Sequence, residues 1–287
     1  MKIDIYNEKT TIHQRTFEDS SDFLKMAEAR SEMSNNRASR KTGDYEWYGC
    51  RSFNEAADLL KDGWREGAEL MKKWESYFNK IISEHTLNPE PTPDFHGEYF
   101  DIGLVLSGVP ECWYKIPEVE QESKGKIVKI GVSIDASCAF TADDLIKRGA
   151  AALALIHAFE LAGKSTEVTV CSQTSTGYGN GDLLQYLIPA KKAGEMLDLE
   201  RVAFLTAHPG AFRRLAFSCM ENEPKNIRDQ FGVSDFGGYG YPAPPRGPDA
   251  KFDILVPEML LGATEGDMID WVLKQLAEQG IELRENV

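Results

Sequence analysis

The sequence predicts an open, mostly parallel α/β sheet with helices on both faces, preceded by an N-terminal helical segment. Three observations carry this expectation. An Ile- and Val-rich run, "IVKIGVSID", ends at Asp135. A nearly all-apolar pattern follows from Gly149 to Ala162, "GAAALALIHAFELA". A second strand pattern, "TEVTVCSQ", comes next. Strand, buried helix and strand within about 45 residues make a βαβ unit, whose crossover is right-handed and whose strands are parallel.

The elements follow in order. Residues 1–45 are polar and mixed, with a short helix over "SSDFLKMAEARSEM" capped by Ser20 or Ser21. The loop "SNNRASRKTGD" follows. "SFNE" is a capping box, with Ser52 taking an amide proton and Glu55 reaching back. The helix it starts runs from Phe53 to Lys61 and ends at Asp62-Gly63. A second helix sets Trp64, Met71, Trp74, Phe78 and Ile82 on one apolar stripe. "NPEPTPDFHG", with three prolines, breaks this helix and makes a linker. The expected division is therefore a helical segment with linker, 1–97, and an α/β domain, 98–287.

Within the domain, Cys112–Ile116 reads as a strand forming an antiparallel hairpin with the run that ends at Asp135. Thr141 caps the next helix, with Asp143 and Asp144 in its first turn, where acids suit the dipole. A helix apolar over most of its circumference is buried on more than one side. "LLQYLIPAK" reads as a strand, and its proline marks an edge. "GEMLDLERVAFLTA" and "PGAFRRLAFSCMEN" read as two helices, with Pro209 at the first position of the second. The strand "FDILVPEM", the helix "DMIDWVLKQLAEQG" and a short strand "IELRE" close the chain.

Composition narrows the function. The chain has 287 residues and a formal net charge of −14, from 46 acids against 32 bases. Broad neutralisation of duplex DNA runs on Lys and Arg, so this balance disfavours it. A basic protein partner suits such a surface better. The five cysteines are scattered, without a C-x-x-C pair, as expected of reduced thiols. The N-terminus lacks the apolar core of a signal peptide, and no run approaches a membrane span. A soluble, intracellular protein is expected, with no membrane partner.

The order of elements, with Asp-x-Ser closing the first parallel strand, is similar to von Willebrand factor A-type domains. The stretches "SFNEAADLLKDGWREG", "LSGVPECW" and "VSIDASCAFTADDLIKRGAAALALIHAFELAG" resemble a family of tailed-phage proteins. The resemblance covers roughly residues 45–175. It implies a phage origin and the host cytoplasm, and it brings no activity with it. In von Willebrand A-type domains a metal is held by Asp-x-Ser-x-Ser with a threonine and an aspartate from later loops. Here Asp135 and Ser137 match, while Ala139 stands at the second serine. Thr174 or Thr176 and Glu258 are the remote candidates. Mg²⁺ demands near-ideal octahedral oxygen coordination, so this is a degenerate site; no cofactor is expected, with Mg²⁺ as the alternative.

In open α/β sheets ligands bind at the carboxyl ends of the strands. Three loops should gather there: "DASCAFT", "SQTSTGYGNGD" and the segment after "FDILV". No P-loop and no G-x-S-x-G elbow occurs. Ser137 or Cys138 with His157 or His208 would be the nucleophile–base pairs, and nothing in their spacing favours one. The loop "FGVSDFGGYGYPAPPRG" interleaves Phe231, Phe236, Tyr239 and Tyr241 with glycines, prolines and Arg246. Aromatics and arginine dominate protein hot spots and also stack single-stranded bases. Arg213-Arg214 and "RASRK" ending at Lys41 would supply a small basic footprint. The expected binding set is Thr176, Tyr178, Phe236, Tyr239, Tyr241 and Arg246. The leading expectation is a non-enzymatic protein that binds a phage or host protein through the strand-end loops. The alternatives are a single-stranded nucleic-acid-binding cofactor for transcription or replication machinery, and a cryptic metal-dependent enzyme.

Overall fold

A computed structural model describes residues 2–7, 10–33, 37–85, 92–94, 99–100, 104, 106–107, 109–110, 112–115, 127–136, 140–162, 164–177, 181–234, 238–257 and 263–281. The expected final strand, "IELRE", lies almost wholly outside them.

The fold is α/β. Its main sheet contains β1 (Lys2–Asn7), β2 (Thr10–Thr16), β6 (Ile127–Ser133), β7 (Ser165–Ser175), β8 (Leu183–Lys191) and β9 (Ile254–Val256). Their order across the sheet is β1-β2-β8-β7-β6-β9. The pairs β2·β8, β6·β7 and β6·β9 are parallel; β1·β2 and β7·β8 are antiparallel. The sheet is thus mixed and mostly parallel. A second, antiparallel sheet has the order β3-β5-β4, from Thr92–Asp94, Trp113–Lys115 and Tyr99–Phe100.

Helices are packed around the main sheet. They are α1 (Ser20–Glu28), α2 (Tyr45–Tyr48), α3 (Phe53–Asp62), α4 (Arg65–His85), α5 (Ala142–Leu161), α6 (Leu199–Ala207), α7 (Phe217–Glu221), α8 (Lys225–Gln230) and α9 (Glu265–Glu278). A π-helical turn, Ala211–Ala216, leads into α7.

The βαβ unit forms as the apolar pattern dictates. In α5 every residue from Ala150 to Ile156 is buried, which suits a helix wedged between α4, α6 and the sheet. Gly149 permits the α5–α6 approach, because a Cβ there would lie 2.7 Å from the Cβ of Ala207. Thr141 and Asp144 make the capping box that starts α5. One apolar cluster joins Val128, Ile130 and Val132 of β6 to α5 and α9. Another joins Val170, Tyr186 and Ile188 to Phe23, Phe204 and Phe217. Full burial of each such side chain contributes roughly 1.5–3 kcal/mol.

Several expectations change. The N-terminal segment has its helices, and it also supplies β1 and β2 to the main sheet. Residues 113–115 pair with β3 and β4, not with β6, so the expected hairpin does not form. "LLQYLIPAK" is not an edge: β8 lies between β2 and β7. Pro189 is tolerated because the β7·β8 register shifts between Val168 and Thr169, and a bulge can absorb a missing N–H.

Candidate functional site: a cleft at the strand ends

The site is built on a polar row crossing the sheet. Gln14 of β2 pairs with Gln185 of β8, and Gln185 pairs with Gln173 of β7. The side chain of Gln185 donates to Gln14 Oε1 at 2.6 Å. Beyond Gln173 the row reaches Asp135, just past β6.

Asp135 is 1% exposed. Its Oδ1 accepts from the Ser172 hydroxyl at 3.0 Å, and its Oδ2 accepts from the Gln173 amide at 2.7 Å. The carboxylate therefore staples the end of β6 to β7. Thr174 donates its hydroxyl to the carbonyl of Tyr239. Both residues thus have protein partners at short range. Ser137 and Glu258, the other metal candidates, lie outside the described residues. Among the described residues no group of three or more His, Cys, Asp or Glu side chains is arranged so that it could hold a metal ion.

A strap of chain, residues 238–250, crosses this row. Tyr241 bridges Ser175 of β7 through both backbone groups, at 2.8 and 3.0 Å. Arg246 exchanges backbone bonds with the side chain of Gln185 on β8, at 3.1 and 2.7 Å. Asp249 accepts from Gln14 on β2 at 2.8 Å. Gly240 has φ 67°, and a Cβ on it would collide with Thr174 Oγ1 and lie 2.7 Å from the Ser175 carbonyl oxygen. Only glycine fits so close a crossing.

Between the strap, the ends of β6 and β7, and the segment 38–48 lies a cleft of about 940 Å³. Trp47, Tyr48, Phe212, Phe217, Tyr239 and Tyr241 line it, with Lys41 and Asp44 also contributing. Tyr239 stacks on Phe217 with ring centroids 3.8 Å apart and planes 1° from parallel. Its hydroxyl donates to Glu221 Oε1 at 2.6 Å. Glu221 is fully buried and also accepts from the Ser39 amide at 3.0 Å and from the Ser39 hydroxyl. Arg37 Nε lies 3.0 Å from its other oxygen. One carboxylate thus holds both walls. Burial, and then the charge of Glu221, push the Tyr239 phenol well above its ordinary range.

The arginines of this region are internal. Arg214 is fully buried, lies 3.5 Å from the Tyr48 ring centroid and donates to the carbonyls of Ser39 and Lys41. Arg213 donates to the Trp47 carbonyl at 2.7 Å. They satisfy the backbone of an irregular loop. Of the expected basic footprint, Arg37, Arg213 and Arg214 are buried and Arg40 is half-buried, while Lys41 is exposed.

Of the expected binding residues, the structure brings Tyr239 and Tyr241 together at the cleft, beside the metal candidate Thr174. Thr176 is exposed and closes the 176–182 loop, exchanging bonds with Asp182 at 3.0 Å. Arg246 sits further along the strap. Tyr178 and Phe236 lie outside the described residues, as do Ser137 and Cys138. Phe231 is buried, with its ring edge-on to His13. His208 is buried between Trp64 and Phe204 and accepts from the Gly210 amide at 2.9 Å. Burial pulls its pKa down to about 4. The expectation had no place for Trp47, Tyr48 or Phe217. The run "YEWYGC", three aromatics in four residues, was the available signal.

Fold and site together define an α/β protein with an aromatic cleft at the strand ends, closed on one side by a strap. The chain belongs to the family described as Domain of unknown function (DUF7192), whose model matches residues 5–283. No curated protein and no solved structure matches the chain.

Proposed function

We propose that this protein works by binding a protein partner at the strand-end cleft and strap. The observation that carries the reading is the division of labour at the cleft. Its wall is aromatic, with Tyr241 40% exposed, while the neighbouring arginines are buried and bonded to backbone. Exposed aromatics beside a polar rim are the composition of a protein hot spot. Single-stranded nucleic acid needs cations along its backbone track as well as stacking faces, and here Tyr239 already stacks on Phe217.

In this reading the domain is von Willebrand A-like with a degenerate metal corner, and the strand–Asp135–helix arrangement supports that likeness. The chain is a phage accessory protein, its partner a phage or host protein, and its setting the host cytoplasm. Among the described residues no helix is long and apolar enough to cross a membrane. The alternative of a metal-dependent enzyme would have Asp135 ligate a cation while keeping Ser172 and Gln173 as hydrogen-bond partners.

The test places a photo-reactive residue at Lys41, exposed beside the cleft. Expected is a covalent adduct with one defined protein in cells producing the chain, lost when Phe217→Ala removes the cleft wall. A parallel titration with labelled single-stranded DNA and RNA at two salt concentrations decides the alternative. A salt-sensitive shift without a protein adduct would overturn the proposal.

A further inference from the structure

The strap contains "YPAPPR", residues 241–246. Proline holds φ near −65° and lacks an N–H. A residue before proline is pushed to extended or polyproline II backbone. Pro242, Pro244 and Pro245 therefore impose this geometry on Tyr241, Ala243 and Pro244 as well. Polyproline II has about three residues per turn, so residues three apart share an edge.

Exposure follows that period. Tyr241 and Pro244 share one edge, and both are exposed. Pro242 and Pro245 share the next, with Pro242 exposed and Pro245 half-buried. Ala243 and Arg246 share the third, and both are half-buried. One edge of the turn thus faces the protein and another faces solvent.

The segment is also fixed at both ends. Tyr241 is tied to Ser175 by two backbone bonds, and Arg246 is tied to Gln185 by two more. A free peptide of this sequence would lose conformational entropy on binding; here much of that cost falls on folding. Proline-rich PxxP segments in polyproline II form dock into aromatic-lined grooves, and Pro242 and Pro245 stand at that spacing.

We infer that Tyr241–Arg246 is a preformed polyproline ligand, presented to a partner domain that carries an aromatic-lined, polyproline-reading groove. This rests on the protein-binding reading above and names the kind of partner.

The experiment titrates the full-length protein against purified SH3 and WW domains, alongside a synthetic peptide of residues 241–246. Expected is binding by at least one domain, about tenfold tighter to the intact protein than to the peptide. The double variant Pro242→Ala/Pro244→Ala should lose that binding at unchanged Tm. If that variant is destabilised, Tyr241→Ala serves instead, since the bridge to Ser175 uses backbone atoms only, and binding should again fall. Absence of binding by every domain, or binding that survives both variants, overturns the inference. The Lys41 adduct separates the two proposals. If it survives Pro242→Ala/Pro244→Ala, the partner reads the cleft and not the strap.

Discussion

The phenol of Tyr239 donates to the carboxylate of Glu221 at 2.6 Å, joining the strap to a buried ion pair with Arg37. A hydrogen bond to a charged group contributes about 1.5–3 kcal/mol. Tyr239→Phe keeps the stack on Phe217 and removes this bond together with the contact of the Ala38 backbone amide to the phenol oxygen. Its urea midpoint should fall by the equivalent of about 2 kcal/mol at unchanged m.

Glu221→Ala goes further, because it leaves Arg37 buried without its counter-charge. Breaking one side of a buried pair costs about 3–5 kcal/mol. The same variant releases Ser39 and Tyr239 together, so a double-mutant cycle with Tyr239→Phe should be strongly non-additive. Additive losses in denaturation would show that Glu221 does not couple the walls.

His208 predicts a pH dependence. Its folded pKa of about 4 lies below the ordinary value of 6.5 because burial disfavours the imidazolium. Between those values the unfolded chain binds more protons than the folded one. This stability is fully present above pH 6.5 and is lost as pH falls towards 4, by about 3 kcal/mol in all. His13, also held low by burial, acts in the same direction. His208→Asn, which retains an acceptor for the Gly210 amide, should flatten the slope of unfolding free energy between pH 6.5 and 5.

Gly240→Ala should detach the strap. The left-handed backbone alone costs a β-carbon roughly 1–2 kcal/mol, and the overlap with Thr174 and Ser175 adds to it. Hydrogen exchange should report faster amides at Ser175 and Tyr241, with α5 unchanged.

The βαβ unit was legible because burial on all sides writes itself as continuous apolar sequence: "IVKIGV" and "AAALALI" have no other use. β2 was not, because "TTIHQRT" is polar while four of its seven residues are buried. Its Gln14 is satisfied by Gln185, a partner 171 positions away, and no local pattern encodes that. Pro189 misled for a similar reason: whether a proline ends a sheet depends on a bulge in another part of the chain. At the site, the 231–247 loop stood out in the sequence for its aromatics and glycines, but nothing there placed it at the strand ends. The partners of its aromatics were not legible. Tyr239 looks like any exposed tyrosine until Glu221 is seen beneath it, and Arg213-Arg214 looks like a surface cation pair until the carbonyls of segment 39–51 are seen around it.

The strap's bond from Gln14 to Asp249 joins residues 235 positions apart. β2 likewise waits for β8, and loop closure over such distances must precede any reward from contact. During synthesis the outer rim of β2 stays without its neighbour until residues 183–191 have emerged. An unpaired strand rim is a template for wrong association, so the growing chain is most vulnerable at its first strands. The segment 238–250 rests on β7, β8 and β2 together, so the cleft exists only once those three strands stand side by side.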